Sequence, residues 1–130
     1  NLADKVAVIT GASEGIGRDM ALGLADAGAD IVVCSRREDV LKQVKAEIEK
    51  CGRKAEVFAL DVSNLSEIEA LKQFVVNRFG KADILINNAA ICPRISFADS
   101  TEEDWDRLMN VNARSQYFLM QAVCPTMRAQ

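Results

Sequence analysis

Lys5-Val6-Ala7-Val8-Ile9-Thr10-Gly11-Ala12-Ser13-Glu14-Gly15-Ile16-Gly17 is the stretch whose reading decides the fold. Its first six residues form a short apolar run rich in β-branched side chains, the pattern of a buried strand. The run breaks at a turn with glycines at 11, 15 and 17, and a helical period begins at about Gly15. A turn of this kind brings a helix N-terminus close to an anion, where free backbone N–H groups and the positive end of the helix dipole face it. Gly11 allows the tight turn, Gly15 leaves room for phosphates, and Gly17 lets helix and strand pack together. A glycine-rich strand-to-helix turn can also be ordinary. Lying directly after a first strand and opening a helix, this one points to the pyrophosphate of a dinucleotide.

Outward from this turn, short apolar runs alternate with segments of helical period. Residues 31–34 (IVVC), 55–60 (AEVFAL) and 82–86 (ADILI) read as a second, third and fourth strand. Three helices lie between the strands, starting at about Gly15, Glu38 and Leu65 and stopping at Gly28, Gly52 and Gly80, the residue type that ends helices at least steric cost. Val40, Leu41, Val44 and Ile48 share one face of the second helix; Ile68, Leu71, Val75 and Phe79 share one of the third. Asn64 and Glu67 form a capping-box-like start for the third helix. A long last helix is expected from about Thr101, capped by Ser100 and Glu103 and kinked or ended by Pro125. Strands separated by helices of this length pair in parallel through right-handed crossovers. The expected class is α/β: a Rossmann-type doubly wound parallel sheet, represented by its first four strands with flanking helices, in one domain over residues 1–130.

Composition narrows the function. With 49% hydrophobic and 27% charged residues the chain reads as an ordinary globular protein. No stretch approaches the ~18 consecutive apolar residues of a membrane helix. Residues 1–5 show no basic segment leading into an apolar run, so a cytoplasmic protein is expected. A net charge of −3 argues against nucleic acid as a partner. The chain has no histidine, and Cys34, Cys51, Cys92 and Cys124 are widely spaced, so no metal site is expected and the thiols read as reduced and mostly buried.

The end of the second strand speaks to the cofactor. Sheets of this type that bind NAD normally place an acidic residue there to accept hydrogen bonds from the ribose hydroxyls. Here the chain reads Ser35-Arg36-Arg37, a hydroxyl followed by two guanidinium groups, which suits a 2′-phosphate. NADP(H) is therefore the expected cofactor, with Ser35 and Arg36 the main readers and Arg37 a helper. The plainer alternative makes both arginines solvated residues opening the second helix, where the helix dipole disfavours cations.

The spacing of the glycines, Thr10-Gly11-x-x-x-Gly15-x-Gly17, resembles the T-G-x-x-x-G-x-G signature of the short-chain dehydrogenase/reductase family. Ser13 and Ile16 fall inside that signature and are expected to contact the cofactor with the three glycines. By the same resemblance Asp61 would accept from the adenine amino group and Val62 would face the ring. Asn87-Asn88-Ala89-Ala90 is similar to the family's N-N-A-G, with Ala90 in place of the glycine. Asn88 would tie the fourth strand to its neighbours, with Ala89 and Ala90 bordering the nicotinamide ribose. Val111 joins the cofactor set. Asn112 matches the asparagine of the catalytic tetrad, credited with holding a water in the proton relay; Asn110 would point about 200° away round the helix.

The family's serine and Tyr-x-x-x-Lys pair have no counterpart here, since the one tyrosine, Tyr117, is followed four residues later by Gln121. The resemblance covers almost all of the chain and implies a domain truncated before its catalytic segment, inactive alone. It further implies a parent that interconverts a secondary alcohol and a ketone or aldehyde, and a homo-oligomer (dimer or tetramer) in which Phe118 and Met120 of the last helix face a partner. The alternative is a non-catalytic nucleotide-binding or dimerising fragment. The substrate stays open, because the family shapes it mainly after the catalytic tyrosine.

Overall fold

A computed structural model describes all 130 residues. Strands β1 (Val6–Thr10), β2 (Asp30–Ser35), β3 (Ala55–Ala59) and β4 (Ile84–Ile86) form one parallel sheet in the order β3-β2-β1-β4. Helices α1 (Gly15–Asp26), α2 (Glu38–Lys50) and α3 (Leu65–Phe79) connect the strands. After β4 come α4 (Glu102–Met109), one π-helical turn (Asn110–Arg114) and α5 (Ser115–Arg128). No helix is long and apolar enough to cross a membrane.

Because side chains alternate across a strand, the central strands are apolar over Val6–Ile9 and Ile31–Cys34 and feed two cores. Ala7 and Ile9 of β1 and Ile31 and Val33 of β2 pack against Ala21 and Ala25 of α1 and Leu41, Val44 and Ile48 of α2. Val8, Val32 and Cys34 point the other way, onto Ile68, Leu71 and Val75 of α3 and Leu119 and Val123 of α5. Each large aliphatic side chain so buried stabilises the fold by about 1.5–3 kcal/mol relative to exposure. The doubly wound α/β class is thus the observed one. The chain runs outward through β1, β2 and β3, then returns to the far side of β1 for β4. This reversal opens a crevice at the carboxyl ends of β1 and β4, where sheets of this kind hold ligands.

Several local details depart from the sequence pattern. The last-helix cap sits one residue later than expected: Thr101 accepts from the Asp104 N–H, and Asp104 reaches back to the Thr101 N–H. At α3 Asn64 caps Ser66, while Glu67 accepts from the more distant Asp61 N–H. The helix continues through Pro125 to Arg128; Pro125 and Gln121, whose carbonyl loses its donor, are both exposed residues. Of the cysteines only Cys34 is buried, and all four are unpaired. Cys51, Cys92 and Cys124 lie at a helix end, in the loop after β4 and on the outer face of α5, where no core needs them. Phe118 packs partly into the second core, leaving Tyr117 and Met120 as the exposed side chains of that stretch.

One buried charge pins β4 to β1. Asp83, with a side chain only 6% exposed, accepts from the Val6 N–H at 2.9 Å and pairs with Lys5 and Lys81 at 3.1 and 3.0 Å. Burial opposes its ionisation, but the Val6 N–H and the two ammonium groups outweigh it and hold its pKa below the usual carboxylate value. This stabilisation is complete above the ordinary carboxylate range and is lost as pH falls through the lowered value. Asp83→Asn is expected to cost about 1–3 kcal/mol at neutral pH. It should also flatten the loss of stability as pH falls below about 5. Urea midpoints measured across that range check this; parallel curves for both proteins would refute it.

Candidate functional site

The crevice at the sheet reversal is a cleft of about 720 Å³. Its floor is the glycine-rich turn, and the local geometry explains two of the glycines. Gly11 takes φ +65°, and a Cβ there would come within 2.9 Å of the Ala89 backbone. At Gly17 a Cβ would lie 2.3 Å from the Gly11 carbonyl oxygen and 2.4 Å from Asn88 Nδ2. Only a bare Cα lets the first turn of α1 come this close. Around Gly15 the space is open, which leaves the first turn of α1 accessible to an anion.

Asn88 stitches the turn to β4. Its Nδ2 donates to the Thr10 and Gly11 carbonyls, both at 3.1 Å. Thr10 Oγ1 in turn accepts from the Asn88 and Ala89 N–H groups. The first strand and the fourth are thereby joined at the point where the cleft begins. Ala90 replaces a glycine without strain, because its φ is not positive.

The far end of the cleft is polar. Ser13, Glu14, Ser35, Arg36, Arg37 and Asp61 line it. Ser35 Oγ accepts from the Arg37 N–H at 3.1 Å, which leaves its own O–H free to donate. Arg36 is exposed and has no hydrogen-bonded or ion-paired partner, whereas Arg37 turns onto the glycine-rich turn and pairs with Glu14 at 2.8 Å. Asp61 accepts from the Ser63 hydroxyl and N–H on one carboxylate oxygen, and these bonds hold its pKa below the usual value. It therefore stays an acceptor with Oδ2 without a protein partner.

The helical wall behaves differently from expectation. At the π-turn the Ser115 N–H donates to the Asn110 carbonyl, five residues back. The Asn112 side chain does not face the cleft. Its Oδ1 accepts from the Ile91 N–H at 2.8 Å and its Nδ2 donates to the Ile91 carbonyl at 2.7 Å, clamping the loop after β4. Asn110, placed by the regular helical period on another face, lines the cleft beside Val111. The π-turn widens the backbone spiral here, and a count of residues per turn cannot foresee it.

Of the residues singled out from the sequence, Gly11, Ser13, Ser35, Arg36, Arg37, Asp61, Val62, Asn88, Ala89, Ala90 and Val111 meet in the cleft. Gly15, Ile16, Gly17 and Asn112 are not among its lining residues. Glu103, Asp106, Arg107 and Asn110 also line it and were not foreseen, nor was Glu14. The spacing of the four α4-side residues puts them on one helix face, a signal that carries no meaning until the helix is known to cover the cleft. Asn87 Oδ1 is buried without a hydrogen-bond partner beside this site.

A parallel sheet with a glycine-rich turn at its reversal point defines a dinucleotide-binding α/β fold. The chain belongs to the short chain dehydrogenase family, whose model matches residues 5–130. It is 42% identical over 123 residues to the 2-dehydro-3-deoxy-D-gluconate 5-dehydrogenase of Dickeya dadantii, covering 95% of this chain and 48% of that one. A crystal structure of a metagenomic short-chain oxidoreductase in complex with NADP superposes with a TM-score of 0.93 at 36% identity, over 98% of this chain and 58% of that one. The L-sorbose reductase of Gluconobacter frateurii, complexed with NADPH and L-sorbose, gives 0.95 at 35% identity, over 99% and 49%. The chain thus spans about half the length of the curated relatives it matches.

The Gly17 contacts generate a direct prediction. Gly17→Ala should force the α1 turn away from Gly11 and Asn88, costing about 1–3 kcal/mol of stability. It should also weaken dinucleotide binding at least tenfold, and binding within about twofold of the native protein would show that the close approach is dispensable.

Proposed function

We propose that the full-length protein is an NADP-dependent oxidoreductase that interconverts a secondary alcohol and a ketone or aldehyde. The observation that carries this is the end of β2: Ser35 and an unpaired Arg36 open into the cleft where NAD-binding sheets carry an acid. The donor set fits the cofactor. Backbone N–H groups at the open first turn of α1 suit the pyrophosphate, Ser35 and Arg36 the 2′-phosphate, and the ionised Asp61 the adenine amino group. The cofactor supplies hydride transfer; the protein supplies binding, orientation and proton handling. Asn112 acts by fixing the Ile91 loop at the edge of the cleft, a positioning role compatible with the tetrad place that the family pattern assigns it.

NADP complexes of the related structures support the reading. Exposed Trp105 on α4 and Tyr117 and Met120 on α5 favour a homo-oligomer, because exposed large apolar side chains are the material of interaction surfaces.

Arg36→Ala is expected to weaken NADPH binding about tenfold or more while changing NADH binding by less than about twofold. Equal losses for the two dinucleotides would refute the role of Arg36. The 130-residue chain by itself is expected to bind dinucleotide without oxidising NADPH in the presence of any carbonyl compound. Turnover above background, followed at the NADPH absorbance, would overturn that expectation.

A further inference from the structure

The π-turn changes which groups serve the carbonyls of the cleft wall. In an unbroken α-helix the Ser115 N–H would bond the Val111 carbonyl, four residues back. Here it bonds the Asn110 carbonyl, so the Val111 carbonyl loses its ordinary donor. The hydroxyl of the buried Ser115 takes that place, donating to the Val111 carbonyl at 2.6 Å. One residue further on, Gln116 Nε2 donates to the Asn112 carbonyl at 2.8 Å. Asn112 is therefore held at both ends. Gln116 ties its carbonyl to its own helix, and its side chain grips the Ile91 N–H and carbonyl across the fold. Asn110 and Val111 line the cleft on the helix side and Ile91 on the loop side, so Asn112 is the link between two of its walls.

We propose that Gln116 is a positioning residue for the cleft: through its bond to the Asn112 carbonyl it keeps the Asn112 side chain on Ile91 and so holds the loop after β4 against the helical wall. The proposal rests on the reading of the cleft as a dinucleotide site. It goes beyond that reading, because Gln116 does not line the cleft and acts only through Asn112. The chemistry suits an amide. Residues four apart share a helix face, so the Gln116 side chain lies over the turn that carries the Asn112 carbonyl. The bond is partly buried, and removing its donor leaves the carbonyl short of a partner. Ser115 and Gln116 together fix two successive peptide units of a turn whose backbone bonding is irregular.

The test uses the full-length protein that carries this segment. Gln116→Met keeps the length of the side chain and removes the donor; Gln116→Glu puts a carboxylate, an acceptor only at neutral pH, in the same place. Hydrogen exchange at the Ile91 N–H reports the clamp, and exchange at the Val32 N–H in the core reports global stability. NADPH affinity is measured by calorimetry. Gln116→Met is expected to speed Ile91 exchange and to weaken NADPH binding, each by about three- to tenfold. Val32 exchange should stay within about twofold of native. Gln116→Glu should weaken binding at least as much as Gln116→Met. In an Asn112→Ala background, where the clamp is already gone, Gln116→Met should change NADPH affinity by less than about twofold. A native protein that binds NADPH, with either Ile91 exchange or NADPH affinity unmoved in Gln116→Met, overturns the proposal and leaves the dinucleotide reading standing. Equal acceleration at Val32 and Ile91 overturns it as well, because the bond would then serve only overall stability. So does a full loss of affinity that persists without Asn112. A native protein that does not bind NADPH overturns the dinucleotide reading, and this inference with it.

Discussion

Everything at the cleft depends on how closely the first turn of α1 lies against the backbone that precedes it. A Cβ at Gly17 would overlap the Gly11 carbonyl and the Asn88 amide, so helix, turn and fourth strand meet at van der Waals limits. Asn88 then spans this junction with hydrogen bonds to the Thr10 and Gly11 carbonyls, and Thr10 Oγ1 returns two from the start of the β4 loop. Three separate parts of the chain are held at one point. The two cores on either face of β1 and β2 supply the rigid support, and the junction sets the shape of the crevice.

Electrostatics along the cleft follow from the same scaffold. The β2 end brings Ser35 and Arg36 beside the turn, and the β3 end brings Asp61, kept ionised by Ser63. Opposite charges therefore lie in one lobe: Asp61 is held by Ser63, and Arg37 pairs with Glu14. Arg36 is the cation left over. A polar lobe of this kind, with a free cation, a free hydroxyl proton and an acceptor, fits the proposed 2′-phosphoadenosine end of the cofactor. The wall opposite is set by the clamp of Asn112 on Ile91, which fixes a loop that has little other regular structure.

Much of this was legible in residue order. The four strands and first three helices appear where the periodicity puts them, with ends that shift by one or two residues, because burial on both faces leaves long β-branched runs that little else explains. Eleven of the fifteen residues read from the sequence as site residues line the cleft. The departures have separate causes. The cap moved from Ser100 to Thr101 because adjacent hydroxyl residues offer alternative caps with acidic partners three residues on. Asn110 lines the cleft while the Asn112 side chain bonds the Ile91 backbone, at a π-turn that a residue count does not reveal, and the helix runs on through Pro125 to Arg128.

By itself the sequence determined the α/β class, the parallel pairing and the glycine-rich turn, since local period, β-branching and the steric freedom of glycine are written residue by residue. It also determined that the end of β2 would present cations and no acid. Only the tertiary structure decided which of two neighbouring arginines is free, which face of the last helix meets the cleft, and that Asn112 holds a loop instead of pointing into the site. Those outcomes depend on what stands opposite each side chain across the fold, and partners distant in the chain, such as Arg37 with Glu14 or Asn112 with Ile91, meet only once the sheet is assembled.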